Sequence, residues 1–447
     1  MNILNLKSLK TTRVEENEHD YHIDAESTIS TTSCQHCQSQ NIIGFGRHEQ
    51  LIRDLPIHAK RVGIYVSTRR YRCKDCGKTF TEKLPDVDDK RSMTNRLVDW
   101  IGKQAVKRTF TSIADEVGIT EKTVRNVFND YINAIERKVR FETPQWMGID
   151  EIHLIKPRGV ITNIQNNTVV EVLPNRNKET MLHYLGNLPN KDSIKYVAMD
   201  MWRPYRDAVE AVLPNATIVI DKFHVVKMAN EALDTVRKSL RSELEPKQRR
   251  YLKNDRFILL KRRKELSDQE EFLMSGWLEN YPQLALAYIA KEAFYEIYDA
   301  DSLIDAHRRY QAWREMIKPE IEGAYAELIR AFENWQPYIL NYFHHPVTNA
   351  YTESLNNLIR VMNRLGRGYS FEALRAKILF SEGAHKHKYK KPKFERRGRE
   401  MPVMNKMYLA RDVFSEEWPP TTQEREIIGN YGADIATLIE IFESELK

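Results

Sequence analysis

Met147-Gly148-Ile149-Asp150 opens a series of five short apolar runs. The others are Val160-Ile161, Val169-Val170-Glu171-Val172, Tyr196-Val197-Ala198-Met199 and Ile218-Val219-Ile220. Each is strand-length, and most of their residues are β-branched, which suits a pleated, buried surface. Helical stretches near 178–188 and 203–212 separate the later runs, so the segment reads as a mixed α/β sheet. Three of the runs lead into an aspartate: Asp150, Asp200 and Asp221. A carboxylate in a buried sheet is costly unless it is paired or holds a metal. Strand-end carboxylates converging on one sheet edge suit a divalent cation. Taken singly, each acid reads as a cap or a surface ion pair; taken together they point to a site.

A further acid must come from elsewhere, and Glu353 is placed to supply it. It lies in a helical pattern over 350–364, where Tyr351, Leu355, Leu358, Ile359 and Met362 form an apolar face. Asn349, Glu353, Asn356, Asn357, Arg360 and Arg364 form a polar stripe. An acid flanked by amides and arginines suits a metal site facing a phosphodiester, with Arg360 and Arg364 available to the DNA backbone. Three carboxylates can hold two Mg2+ or Mn2+ ions, which activate water or a 3′-hydroxyl and stabilise the leaving oxygen.

Working toward the N-terminus, residues 92–140 return to helical periodicity. Thr111 to Val117 reads as one helix, Gly118 as the turn, and Glu121 to Tyr131 as the second helix with Thr120 as its N-cap. Ala114, Val117, Ile119, Val124, Val127 and Phe128 supply the core of a helix-turn-helix. Lys122, Arg125, Asn126 and Asn129 then face outward, where they can meet phosphates and base edges in a major groove. The plainer alternative is an ordinary helical hairpin. Basic Lys103, Lys107 and Arg108 lie nearby and favour the DNA reading.

All four cysteines of the chain fall upstream, as two Cys-x-x-Cys pairs: Cys34 with Cys37, and Cys73 with Cys76. Each such turn aims two thiolates at one tetrahedral centre, and two turns complete a closed structural Zn2+ site. Gly77 can take a positive φ behind the second pair; the first pair lacks such a glycine. Four unrelated buried cysteines would not explain two identical spacings, and two redox dithiols would be redundant. His36 reads as a bystander. Val62, Ile64 and Val66 alternate at period two within this region, so residues 31–88 form a small β unit.

Downstream of the sheet, 226–340 holds almost no Gly or Pro and reads as a helical subdomain. Residues 385–399 form a basic run that includes Lys390, Lys391, Arg396 and Arg397, a clamp for a DNA backbone or a solvated charge run. Residues 401–447 read as a mostly helical tail. The chain has 447 residues, 41% apolar and 30% charged, with Gly and Pro at 17 each. That excludes a disordered chain, a collagen-like chain and a small disulfide scaffold. Mean hydropathy is −0.59, no window approaches a membrane span, and the first residues carry no apolar run, so a soluble intracellular protein without a membrane partner is expected. The net charge of +6 alone favours a nucleic-acid partner only weakly.

These elements resemble, in order, the bacterial insertion-sequence transposases of the ISL-three group. The resemblance covers roughly 30–385. It rests on Cys34-Gln35-His36-Cys37, Arg70-Tyr71-Arg72-Cys73-Lys74-Asp75-Cys76-Gly77, the helix-turn-helix and Gly148-Ile149-Asp150-Glu151. Asp200-Met201-Trp202-Arg203-Pro204-Tyr205, Asp221-Lys222-Phe223-His224 and Asn349-Ala350-Tyr351-Thr352-Glu353-Ser354-Leu355-Asn356-Asn357 complete it. The resemblance implies a ribonuclease-H-like fold with an aspartate-aspartate-glutamate triad: Asp150 first, Asp200 second and Glu353 last. Asp221 is the alternative second acid. His224 reads as shaping the site or touching the scissile phosphate, with a core role equally open. Trp202 is read as a core residue before a DNA-stacking one. Asn163 stands where an acid is expected on the second strand.

The expected architecture is thus a multidomain α/β chain. A mobile arm covers 1–30, a zinc ribbon 31–88 and a helix-turn-helix 89–142. A ribonuclease-H-like domain covers 143–228 and 341–385, interrupted by an all-helical insertion at 229–340, and a basic segment with a helical tail covers 386–447. The expected function is a DNA transposase that binds terminal inverted repeats and performs metal-dependent strand cleavage and transfer. Its partner is double-stranded DNA, both element ends and target. It acts as a homodimer on DNA in the bacterial cytoplasm, associated with the nucleoid. The rivals are a non-catalytic DNA-binding regulator derived from such an enzyme and a nuclease that cuts without joining.

Overall fold

The computed structural model describes residues 4–139 and 142–383. The basic run, with Lys390, Lys391, Arg396 and Arg397, and the tail after it lie outside the described residues. The chain divides into two compact units, one holding Met1–Glu142 with Asn357–Gly383, the other Thr143–Asn356.

The first unit opens with β1 (Leu9–Glu16), β2 (Asp20–Ser27), β3 (Ile42–Ile57), β4 (Lys60–Cys73) and β5 (Thr79–Thr81). They form one sheet in the order β1-β2-β4-β3, with β5 also paired to β4. β2 runs parallel to β4, and the other pairs are antiparallel. Residues 1–30 are therefore no mobile arm over their strand portion. Tyr21, Ile23 and Ala25 alternate inward against Val62, Ile64 and Val66, and that shared burial outweighs the polar residues between them. The β3–β4 turn places His58 and Ala59 at φ of 52° and 63°. Two positive φ values match the right-handed strand twist, although neither residue is a glycine or asparagine.

Next come α1 (Asn95–Lys107), α2 (Phe110–Val117) and α3 (Glu121–Glu136). Threonines cap all three, at Thr94, Thr109 and Thr120, and Gly118 ends α2 at φ 74°. Leu97, Ile101, Phe110, Ile113, Val124 and Phe128 form their shared core.

The second unit is built on β6 (Trp146–His153), β7 (Pro157–Asn163), β8 (Thr168–Val172), β9 (Tyr196–Met199) and β10 (Thr217–Ile220). α4 (Lys178–Gly186) and α5 (Arg203–Val212) lie between the later strands. The sheet order is β10-β9-β6-β7-β8. β6 is central, parallel to β9 and antiparallel to β7, and β10 is parallel to β9. This is the ribonuclease-H-like arrangement. All five apolar runs became its strands because each is buried and too short for a helix.

α6 (Lys222–Glu243) starts directly after Asp221 and runs unbroken into the helical block. The block continues through α7 (Pro246–Asn254), α8 (Arg256–Leu260), α9 (Asp268–Asn280), α10 (Pro282–Ile297), α11 (Leu303–Met316) and α12 (Pro319–Leu340). One apolar cluster runs from Met147 and Val197 in the sheet through Val225 and Leu233 to Phe294, Trp313 and Phe332. The block therefore shares a core with the sheet. Residue 229, the expected start of the insertion, is the middle of a helix.

α13 (Ala350–Gly366) and α14 (Phe371–Glu382) close the described chain. The expectation placed 341–385 wholly with the catalytic sheet, but Ala373 and Ala376 of α14 join the core of α1–α3. Lys377 explains the fit. Its buried ammonium donates to the carbonyls of Ala105 and Arg108 at the end of α1, over the rings of Phe110, Tyr369 and Phe128. It satisfies helix-end carbonyls that burial would otherwise orphan.

Candidate active site, zinc centre and DNA-binding helices

Asp150 sits on β6, 2% exposed, with Oδ1 accepting from the Glu151 N–H at 2.7 Å. Asp200 follows β9 directly. His224 lies in the first turn of α6, its Nε2 3.9 Å from Asp150 Oδ1. Asp150, Asp200 and His224 bring one ligand atom each within 4.8 Å of one another. Asp200 Oδ1 and His224 Nε2 are buried without a hydrogen-bond partner among the described residues. Buried polar atoms are normally paired. Two carboxylates and an imidazole with spare lone pairs, packed this closely, fit a divalent cation.

The electrostatics agree. Burial, then the nearby charge of Glu353, hold the Asp150 carboxyl well above the usual carboxylate range; Asp200 adds to this and His224 opposes it. Burial pulls His224 down, but the charges of Asp200, Asp150 and Asp221 outweigh it, and its pKa is raised. Negative charge is thus concentrated where it costs most without a counter-ion.

Glu353 is buried on α13, and the site also depends on how that helix is seated. Asn356 Nδ2 donates to Asp150 Oδ2 at 2.8 Å. Asn349 Nδ2 donates to the Ile149 carbonyl at 3.1 Å, tying the helix start to β6. Thr352 Oγ1 lies 2.7 Å from Thr162 Oγ1 and also donates to Asn349 Oδ1. Asn349, Glu353 and Asn356 of the polar stripe are therefore buried, whereas Leu358, expected on the apolar face, is 39% exposed. The sheet presents carboxylates and hydroxyls here, and amides satisfy them better than leucines. Gly148 makes the seating possible: a Cβ there would fall well inside contact distance of Asn349 Oδ1 and Thr162 Oγ1.

Asp221 is placed differently, although its Oδ2 is also buried without a hydrogen-bond partner among the described residues. It is the N-cap of α6, with Oδ1 accepting from the N–H groups of Phe223 at 3.3 Å and Asn349 at 3.2 Å. It is not among the three clustered ligands. Asp221→Asn keeps a capping oxygen, so we expect metal-dependent DNA cleavage within about threefold of the parent, because a cap-preserving change costs little. Asp200→Asn should reduce the same assay by more than about a hundredfold. Equal losses in both variants would give Asp221 the ligand role.

Trp202 is not in the core: it is 36% exposed, beneath the Arg176 guanidinium, 4.5 Å from the ring centroid. Arg176 in turn donates to Glu151 at 2.5 Å. Asn163 closes the β7–β8 turn, accepting from the Asn166 N–H at 3.1 Å. The sequence signalled Asn349, Thr352 and Asn356 only as polar residues beside Glu353. Their partners on β6 and β7 lie about 200 residues away in the chain.

The cysteine pairs meet as the spacing requires. Cys34 and Cys76 sulfurs are 3.7 Å apart, Cys37 and Cys73 sulfurs 3.6 Å. A tetrahedron of Zn–S bonds near 2.3 Å has edges of about 3.8 Å, so four thiolates here fit Zn2+. The missing glycine is replaced: Gln38 takes φ 62° behind the first pair where Gly77 takes 72° behind the second. The cluster is made of the four cysteines, and the His36 backbone N–H donates to Cys34 Sγ at 3.3 Å.

In the helix-turn-helix, α3 exposes Lys122, Asn126 and Asn129. Arg125 is half-buried, paired to Glu121 at 2.6 Å and lying over the Phe110 ring. Arg364 is exposed on α13, and Arg360 donates to Asn357 Oδ1 at 2.8 Å.

A ribonuclease-H-like sheet with clustered acids, following a zinc ribbon and a helix-turn-helix in the chain, is the domain series of the DDE transposases. The chain belongs to the ISL3 family of transposases. A family model described as transposase matches residues 147–378, more than half the chain. The helix-turn-helix domain of transposase family ISL3 matches 82–132, and the zinc-finger of the IS204, IS1001, IS1096 and IS1165 transposases matches 30–76. The transposase for insertion sequence element IS1001 of Bordetella parapertussis is 27% identical over 326 residues, covering 71% of this chain and 80% of the relative. The transposase for IS1557 of Mycobacterium tuberculosis is 23% identical over 366 residues, covering 75% and 82%. No described helix is long and apolar enough to cross a membrane.

Proposed function

We propose that the chain is a catalytically competent transposase. It binds the terminal inverted repeats of its own element through α2 and α3, and it cleaves and joins DNA strands at Asp150, Asp200 and Glu353. The observation that carries this reading is the convergence of Asp150, Asp200 and His224, with partnerless buried donor atoms, beside a helix whose polar face is locked onto β6. Asp150, Asp200 and Glu353 would hold Mg2+ or Mn2+ there, which would supply activation of water or a 3′-hydroxyl and stabilisation of the leaving oxygen. Asn356 fixes the orientation of Asp150, Asn349 fixes the start of the Glu353 helix, and His224 shields the carboxylate pair from the α6 side. Lys122, Asn126 and Asn129 read the element end, while Arg125 is available once released from Glu121. Two element ends call for two protomers, so a homodimer on double-stranded DNA follows, acting in the bacterial cytoplasm at the nucleoid.

The test is Mn2+-dependent nicking and strand transfer on DNA carrying the element's own flanks, beside Asp150→Asn and Glu353→Gln. The expected result is nicking and joining at a defined end, lost by more than about a hundredfold in both variants with end binding retained. Equal binding with no cutting by any of the three proteins would give the chain a regulatory role instead. Cutting without joining of pre-cut ends would make it a nuclease.

A further inference from the structure

Residues 237–264, from the end of α6 through α7 and α8, hold twelve Lys and Arg against three Asp and Glu. That is a net charge of +9 in a chain whose total is +6, so the remainder is net negative. Half of these cations have carboxylate partners, six of them on four acids. Arg237, Lys238 and Arg256 share Asp234. Lys261 pairs with Glu270, Arg262 with Asp299 and Arg263 with Glu271. The other half have none among the described residues. Lys247, Arg249, Arg250 and Lys253 all stand exposed on α7 and have no carboxylate partner among the described residues; Arg249 donates only to the Leu244 carbonyl.

α7 has a peculiar composition for a folded helix. Leu252 is its one buried residue, and everything else projects outward. One buried leucine is little apolar surface, so packing alone does not account for a helix this polar. Beside it, Tyr251 on α7 and Phe272 on α9 stand 51% and 80% exposed at the rim of a groove between these helices. A ridge of unpaired cations bordered by exposed rings is the chemistry that holds a nucleic-acid strand: cations take the phosphates, rings take sugars or unstacked bases.

The position also suits a strand that passes the catalytic site. α6 carries His224 in its first turn and runs for 22 residues, about 33 Å. α7 returns alongside it, with Arg237 Nη1 3.5 Å from the Leu252 carbonyl and Arg256 on Asp234 at 3.2 Å. The α7 cations therefore lie about 20–30 Å from His224 along α6, the length of about six to nine base pairs.

We infer that α7 of the helical block is a second DNA-binding surface, gripping the phosphate backbone without reading sequence, separate from the helix-turn-helix and from the carboxylates. The inference takes DNA as the partner from the proposed function, but its test stands apart from that function's. The triple variant Lys247→Ser, Arg250→Ser, Lys253→Ser changes exposed residues only, and its fold is checked by circular dichroism and melting. Full-length, zinc-loaded protein is titrated with a duplex carrying the element end and with one of unrelated sequence, across a salt series. Lys122→Ala with Asn126→Ala serves as the helix-turn-helix control. The triple variant should lose affinity for both duplexes alike, about tenfold or more, with the slope of log K against log salt shallower by about two to three. The control should lose discrimination between the duplexes and keep the slope within about one. An unchanged slope and affinity in the triple variant would overturn the inference. So would a change confined to self-association in sedimentation, which would give the ridge to a second copy of the chain. Failure of the parent to prefer the element end, with the triple variant still shallower in slope, would sink the transposase reading and leave this surface standing.

Discussion

Gly148→Ala should reduce Mn2+-dependent DNA cleavage by about a hundredfold while leaving zinc content and DNA-end binding unchanged. The methyl group has nowhere to go. It would press on Asn349 Oδ1 and Thr162 Oγ1, with Thr352 Oγ1 3.0 Å away. None of these atoms belongs to the free end of a flexible side chain. Asn349 is held by the Ile149 carbonyl, and Thr162 and Thr352 are bonded to each other, all in the interior. Relief therefore requires α13 to lift from β6, and Glu353 and Asn356 ride on that helix. Overpacking of this kind costs about 1–3 kcal/mol, and a broken buried hydrogen bond adds about 1–3 kcal/mol. A catalytic group displaced by about an ångström loses about two orders of magnitude in rate. Gly186→Ala is the control, because nothing lies within 4 Å of a Cβ there. Cleavage by Gly148→Ala at the parental rate would mean that α13 is not seated as described.

Cys73→Ser should release the zinc and unfold the knuckle. Structural zinc contributes about 10–16 kcal/mol to the folding of small zinc domains, far more than the apolar contacts available here. The local cluster consists of Cys34, Cys73 and Phe80, with Ile42, Tyr71 and Cys76 packed against it. β5 is only three residues long and pairs with β4 alone. Without the metal neither knuckle has a reason to close. The sheet behind it should survive, because Tyr21, Ile23, Val62 and Ile64 pack independently of the sulfurs. The expected readouts are loss of the one zinc per chain by atomic absorption and at least about tenfold weaker end binding. His36→Ala should keep its zinc. Full zinc occupancy in Cys73→Ser would show that a fourth ligand comes from elsewhere.

Much of this protein was legible in one dimension. The five apolar runs are strands because a buried strand has to be short, β-branched and apolar on both faces, and local composition records that. Two Cys-x-x-Cys turns announce a zinc centre because the metal's geometry dictates the spacing. Gly118 and Thr120 mark the turn and the start of the second helix because caps and turns depend on the residues at those positions and not on distant contacts. The candidate acids at 150, 200 and 353 could be picked out by their place within or directly after apolar strand runs and in a polar helix stripe.

Other features depended on residues far apart in the chain. Asp221 is a helix cap because backbone N–H groups reach its Oδ1, one of them from Asn349, 128 residues downstream. Leu358 faces outward and Asn356 inward because of what β6 presents to α13, which the periodicity of α13 alone cannot encode. Residues 9–27 became strands once β4 offered β2 a partner, and α14 joined the helix-turn-helix once Lys377 met the end of α1. The sequence alone determined the strands of the second sheet, the helix-turn-helix, the metal-binding turns and the candidate acids, since these obey local rules of period, capping and ligand spacing. Only the tertiary structure decided the partners, the facing of each helix and the role of Gly148, since these are set by contacts between segments more than a hundred residues apart.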